Sequence, residues 1–371
     1  MTKYFASFYD FYKRHQNIFA SLQLIVFLYL FILSLDLMGA SLKMFGKDFS
    51  HALISTTTNP FIGLFVGILA TSIIQSSSST TSIVVGMVAA GALNIENAIP
   101  IVMGANIGTS VTTFLTAFPQ INRGAEFKRA FAAATVHDFF NIMSVIIFLP
   151  LQLYTNFLGI AAGYMGELFQ DMGGLSFLSP VKALTKPVVE VFKNIVGEHL
   201  PWLMLIIALA LLFLALKYMV DSLKVLVVSK AKLWFDKYLF KTSVRSFFVG
   251  LLLTVMVQSS SITVSLMVPM AGAGLLTLIQ IFPYALGANV GTTITAILAA
   301  LITGNPAAVV VAFSHTIFNL SGIIVWWPLM KFPIFLATKF AELATKSKLI
   351  PVAFVLFTFF ALPLLVIYLS T

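Results

Sequence analysis

The chain has 371 residues, 59% of them hydrophobic and only 9% charged, with a mean hydropathy of +1.00. A soluble domain carries roughly a quarter charged residues, so no water-soluble fold hides this much apolar surface and the solvent is lipid. The formal net charge is +9 and there is no cysteine, which excludes disulfides, thiol catalysis and Cys-based metal sites; the basic residues lie between apolar runs, where they set membrane orientation rather than bind nucleic acid.

In chain order, apolar runs fall near 18–38, 60–93, 97–118, 127–150, 151–169, 201–220, 246–276, 279–303, 307–330 and 350–369. They are long and continuous rather than alternating, which selects helices over barrel strands. Lys13, Arg14 and His15 precede the first run and no small-residue cleavage site follows it, so it reads as a retained helix, not a signal peptide. Between 170 and 200 the sequence turns polar and mixed, the one plausible linker. Residues 1–170 are then a first membrane repeat, with a first helix, a hairpin at 60–93, a broken helix at 97–118 and a helix at 127–150. Residues 171–200 link it to a second repeat at 201–371, with a helix, a hairpin at 246–276, a broken helix at 279–303, a helix at 307–330 and a C-terminal helix.

The division rests on an internal repeat. A shift of 183 positions lays Gln75–Ala117 on Gln258–Ala300 without a gap. Apolar bias does not align Gln75-Ser76-Ser77-Ser78 with Gln258-Ser259-Ser260-Ser261, nor Gly104-Ala105-Asn106-Ile107-Gly108-Thr109 with Gly287-Ala288-Asn289-Val290-Gly291-Thr292. His137–Asn141 further matches His315–Asn319 after a short gap. Basic clusters at Lys3 to Arg14, Arg123 to Arg129, Lys217 to Arg245 and Lys331 to Lys348 mark the cytoplasmic side, so the N-terminus is cytoplasmic. The first helix and the helix at 201–220 then run oppositely, and the repeats are inverted. The parity requires both hairpins to enter and leave on one side; it leaves open whether 151–169 crosses. The predicted fold class is an all-α polytopic membrane protein with two inverted-topology repeats, each holding a re-entrant helical hairpin and a broken transmembrane helix.

Polar tracts interrupt the apolar runs. Ten of the twelve residues from Thr71 to Ser82 are Ser, Thr or Gln. Unpaired polar groups at mid-membrane cost several kcal/mol, so the tract faces protein or water, and a hairpin turning at Gln75–Ser78 satisfies this. Gly63, Gly67, Gly86 and Gly91 suit close helix packing. The second half-helix presents free N–H groups and its positive dipole end to an anion; the end of the first presents carbonyls to Na+. The competing reading of such a turn is polar glue between helices. The paired glycines around Asn106 and Asn289 predict unwound segments offering oxygen ligands to a hard cation; close packing at small residues is the alternative. Asp138 is the only acidic residue deep in an apolar run and is a candidate cation ligand, or else the partner of His137 or a buried Lys. His137 and His315 read as structural hydrogen-bonders, and Asp36 as interfacial.

These motifs, with Pro100–Ser110, Phe127–Asn141, Gly287–Thr293 and His315–Asn319, resemble the type II sodium–phosphate cotransporter family over both repeats. The resemblance implies Na+-driven symport of inorganic phosphate across the cell membrane. Ser76, Ser77, Ser78, Thr109, Ser110, Ser259, Ser260, Ser261, Thr292 and Thr295 would bind phosphate. Gln75, Asn106, Asp138, Asn141, Gln258, Asn289, Thr292 and Asn319 would bind Na+. An Asp at the position of Asp138 goes with electrogenic members. Animal members carry a large disulfide-bonded, glycosylated loop between the halves and some prokaryotic ones a C-terminal regulatory domain; the short linker and lack of cysteine suggest a prokaryotic minimal form. No cofactor is expected beyond Na+ as coupling ion, and the partners are phosphate, Na+ and the lipid bilayer, with no nucleic acid and no oligomeric state readable. A Ser/Thr-lined anion channel, a transporter of another oxyanion and a phosphate-responsive scaffold are the alternatives; no nucleophile–base pair or metal cluster suggests an enzyme.

Overall fold

A computed structural model describes residues 15–46, 48, 54–55, 57–171, 179–196, 200–238, 240 and 242–370. The predicted basic cluster at Lys3 to Arg14 lies outside them. The chain is an all-α membrane protein: among the described residues seven helices are long and apolar enough to cross a bilayer. The α-helices of the described residues, in chain order, are α1 (Gln16–Met44), α2 (Pro60–Ile74), α3 (Ser77–Ala90), α4 (Ile95–Gly108), α5 (Ser110–Ala117), α6 (Gly124–Thr155), α7 (Phe157–Asp171), α8 (Ser179–Val196), α9 (Pro201–Tyr238), α10 (Ser243–Val257), α11 (Ser260–Gly272), α12 (Leu278–Thr303), α13 (Pro306–Trp326), α14 (Lys331–Ala344), α15 (Leu349–Leu356) and α16 (Leu362–Ser370).

The same succession of elements occurs twice. The 183-residue shift carries Pro60–Ile74 onto Ser243–Val257, and the stretch from Ile95 to Gln120 onto Leu278–Thr303. At 15 residues, α2 and α10 are each about 22 Å long, short of the roughly 30 Å hydrocarbon layer. Each ends on a glutamine and is followed at once by a second short helix.

Four close approaches fix each short helix against its neighbour. A Cβ on Gly67 would lie 2.0 Å from the Ile101 carbonyl oxygen, and one on Gly104 1.9 Å from that of Leu64. In the other half Gly250 and Gly287 stand at 2.0 and 1.9 Å from the carbonyl oxygens of Tyr284 and Phe247. These are the same pairs under the shift, so backbone-on-backbone packing of α2 on α4 recurs in α10 on α12. The expected unwinding at these glycines is therefore corrected: α12 runs unbroken through Gly287–Thr292, and between α4 and α5 only Thr109 intervenes, itself with helical angles (φ −57°, ψ −30°). The glycines remove side chains so that helices touch; they do not open them. Gly86 takes the end of Met38, whereas Gly91 packs against nothing and instead caps α3 at φ +77°.

One boundary differs from expectation, and two stretches to which the sequence assigned no element are helical. The runs at 127–150 and 151–169 divide at Asn156, which is left-handed (φ 49°) and caps α6; α7 follows with 15 residues. The linker contains an amphipathic helix, α8, whose Thr185 donates to Asp36 Oδ2 at 2.5 Å. The basic stretch after Lys331 is helical too: α14 packs on α6, where Glu342 bridges Lys339 and Lys128 at 3.0 Å each. Both lysines, Lys339 first, hold its carboxyl below the usual carboxylate range; being exposed, the bridge adds little to stability.

The largest apolar core joins α1, α3, α9, α12 and α13 through Phe31, Met38, Val85, Met204, Ala299 and Val311. A second surrounds Phe114, Phe131 and Phe359. A third lies around Phe140, Met267, Phe282 and Tyr284.

Candidate functional site

Each Gln-Ser-Ser-Ser stretch is a turn between two helices. Gln75 and Gln258 are C-caps in the left-handed region, at φ 57° and 55°. That conformation costs a non-glycine residue about 1–2 kcal/mol, and glycine would adopt it freely. Strain kept at two equivalent positions points to a role for the glutamine side chain. The next residue, Ser76 or Ser259, is extended and caps the following helix by accepting from Ser79 N (3.2 Å) or Ile262 N (3.3 Å). A threonine pair braces each turn: Thr71 donates to Thr80 at 3.0 Å, and Thr254 meets Thr263 at 2.7 Å. None of these four threonines was singled out as a site residue; all recur under the 183-residue shift, the signal that could have found them.

The two turns meet. Ser78 Oγ donates to the Gln258 carbonyl at 3.3 Å, across 180 positions of sequence. Ser77, Ser78, Ser260 and Ser261 are buried at 2–4% exposure. Gln258 is buried as well, and its Oε1 accepts from Thr295 at 2.5 Å, whereas Gln75 is exposed.

A second cluster crosses between the halves. His315 Nε2 lies 2.9 Å from Asn106 Oδ1, and the Asn106 amide nitrogen donates to Asn319 Oδ1 at 3.0 Å. In mirror arrangement, His137 Nε2 lies 2.7 Å from Asn289 Oδ1, and Asn289 donates to Asn141 Oδ1 at 2.8 Å. Because each asparagine nitrogen already donates elsewhere, its oxygen accepts, and each histidine carries its proton on Nε2. Asn141 also donates to the Asn106 carbonyl at 2.9 Å and so ties the two sets together. The histidines are hydrogen-bonders, as expected. The oxygens of Asn106 and Asn289 already accept, so binding a cation there requires that these bonds rearrange.

Asp138 is fully buried, and neither carboxylate oxygen accepts a bond of good geometry; the Ser110 hydroxyl is the polar group set against it. No lysine or histidine pairs with it among the described residues. A buried carboxylate without a counter-charge is costly. Its counterpart in the second half is Thr316, which donates to the Ala312 carbonyl. Thr109 and Thr292 donate back to Ala105 and Ala288 of their own helices, at 3.0 and 3.1 Å, leaving oxygen lone pairs for a ligand. The elements interlock, since α11 packs on α5 and α6, while α3 packs on α12 and α13. Each outgoing turn helix thereby rests on the polar helices of the other half.

The profile of Na+/Pi-cotransporters matches residues 30–177 and 211–362, the greater part of both halves. The chain belongs to the Na+/Pi-cotransporter family. Among members of this family, sodium-dependent phosphate transport protein 2B of Homo sapiens is 32% identical over 96% of the chain and 66% of its own length. Sodium-dependent phosphate transport protein 2A of Mus musculus is 32% identical over 94% of the chain and 67% of its own length. The chain thus spans about two thirds of these cotransporters. No solved structure matches it.

Proposed function

We propose that this family member is a secondary active transporter, not an enzyme, importing inorganic phosphate together with Na+. The observation that carries the reading is the meeting of the two Gln-Ser-Ser-Ser turns, Ser78 against Gln258. Phosphate would lie between the turns, taken by the hydroxyls of Ser76–Ser78 and Ser259–Ser261 with Thr109, Ser110 and Thr292, and by the free N–H groups opening α3 and α11; the Thr295 hydroxyl is already given to Gln258. No Arg or Lys occurs in either polar tract, so co-bound Na+ supplies the neutralising charge, and that makes the two fluxes interdependent. The unpaired carboxylate of Asp138 supports a Na+ site there and net positive charge entering with each phosphate.

The short paired helices support hairpins that enter and leave on one side, and the recurrence of elements under one shift supports two inverted repeats moving by alternating access. The basic clusters favour a cytoplasmic N-terminus in a cell membrane.

The test is radiolabelled phosphate uptake into proteoliposomes under an inward Na+ gradient or an equal K+ gradient, for the wild type and Ser260→Ala. Accumulation with Na+ alone, lost in the variant, is expected. Equal, merely equilibrating flux with either cation would make the protein an anion channel and remove the case for a cation at Asp138.

A further inference from the structure

The two halves share a backbone but differ in one side-chain bond. Gln258 is buried with its Oε1 on the hydroxyl of Thr295. The 183-residue shift carries Thr112 onto Thr295 and Gln75 onto Gln258. Yet Gln75 is exposed, and Thr112 Oγ1 is sealed from solvent with no hydrogen-bond partner. An unmade bond at a buried hydroxyl is costly.

The frame that would allow the bond is already in place. Gln75 and Gln258 have the same backbone angles, φ 57° and ψ 27° against φ 55° and ψ 26°. The approach one turn before each threonine is the same in both halves: a Cβ on Gly108 would lie 2.7 Å from the side chain of Thr71, and one on Gly291 2.7 Å from that of Thr254. An inward turn of the Gln75 side chain would bring to the first half the bond found in the second.

We infer that Gln75 and Thr112 form a second copy of the Gln258–Thr295 latch, open in this structure and closed when the first is open. Thr112 is thus a positioning residue for transport: it holds Gln75 inward in the counterpart state. The two latches are opposed, and one net hydrogen bond in each keeps the two states near balance, about fivefold in population per bond. The inference rests on the alternating-access reading.

Two measurements test it. In the first, Thr112→Val, Thr295→Val and the double variant are compared for turnover in Na+-driven phosphate uptake. Each single variant unbalances the states and is expected to slow turnover about fivefold, with Thr112→Ser near wild type. The double variant, lacking both latches, returns toward wild type. Additive slowing in the double variant, or a neutral Thr112→Val, overturns the inference. The second measurement does not depend on uptake. The natural chain has no cysteine, so Gln258→Cys is the sole target for a membrane-impermeant thiol reagent. Adding Thr112→Val removes the latch of the state that exposes position 258, and labelling should slow about fivefold; an unchanged rate overturns the inference. Loss of Na+ coupling in the wild type would defeat the symport reading alone, and the labelling result would still decide the latch.

Discussion

Asn106 accepts from His315 at 2.9 Å across 209 positions of sequence, and Asn289 holds His137 in the mirror arrangement at 2.7 Å. The two bonds cross, so each half supplies the asparagine for one and the histidine for the other. All six side chains of the network are nearly or wholly sealed from solvent, where an unpaired polar group is not rescued by water.

His315→Ala leaves the Asn106 oxygen without its donor in the core. The expected loss is about 1–3 kcal/mol, read as a lower melting temperature in detergent. His315→Gln keeps an N–H donor on a side chain of similar reach and should recover part of it. If His315→Ala melts with the wild type, the network does not hold the halves together.

Asp138→Asn removes a buried charge that has no hydrogen-bond partner among the described residues. Phosphate uptake in vesicles should lose its acceleration by an inside-negative potential and depend less steeply on Na+, whereas the wild type responds to both. A potential imposed with K+ and valinomycin measures this, and an unaltered response in the variant would move the charge-carrying site elsewhere.

Gly63 and Gly67 lie one helical turn apart on α2 and predict opposite outcomes. A Cβ on Gly67 meets the Ile101 carbonyl oxygen at 2.0 Å, so Gly67→Ala must push α2 off α4, at about 1–3 kcal/mol. At Gly63 the nearest atoms stand at 3.4 Å, ordinary contact, and alanine gains up to about 1 kcal/mol of helix propensity. Melting curves of the two variants should fall on opposite sides of the wild type or, for Gly63→Ala, close to it.

Arg129 reaches from α6 to the end of α11, donating to the Gly272 carbonyl at 2.6 and 3.0 Å and to that of Ala271 at 3.3 Å. In the other half, Asn305 makes a single bond to Ala89, the counterpart of Gly272, at 3.0 Å. Asn305 Oδ1 also caps α13 by accepting from Ala307 N at 2.9 Å, so the comparison uses Asn305→Ser, which keeps a capping oxygen and loses only the Ala89 bond; Arg129→Met should cost more, about 1.5–3 against about 1 kcal/mol. Equal melting temperatures would show that the first anchor carries no extra weight.

Much of this was legible in the residues. Membrane residence follows from composition, because charge is too scarce to clothe a soluble surface. The turns at Gln75–Ser78 and Gln258–Ser261 follow from polar tracts inside apolar runs, because lipid does not tolerate them in a through-going helix. The glycines misled: Gly104 and Gly287 read as helix breakers, since a single sequence shows what a glycine permits and not what stands opposite it. Only packing places the carbonyls of Leu64 and Phe247 there.

The sequence by itself determined the lipid setting, the doubling of the chain and the residues that carry polar chemistry, since these depend on composition and spacing along one strand of covalent bonds. The tertiary structure alone decided the pairings: Ser78 with Gln258, His315 with Asn106, and Thr295 rather than Thr112 with a glutamine. The reason is physical. A repeated sequence encodes the same bonds twice, and only the placement of one half against the other sets which of two equivalent bonds is made.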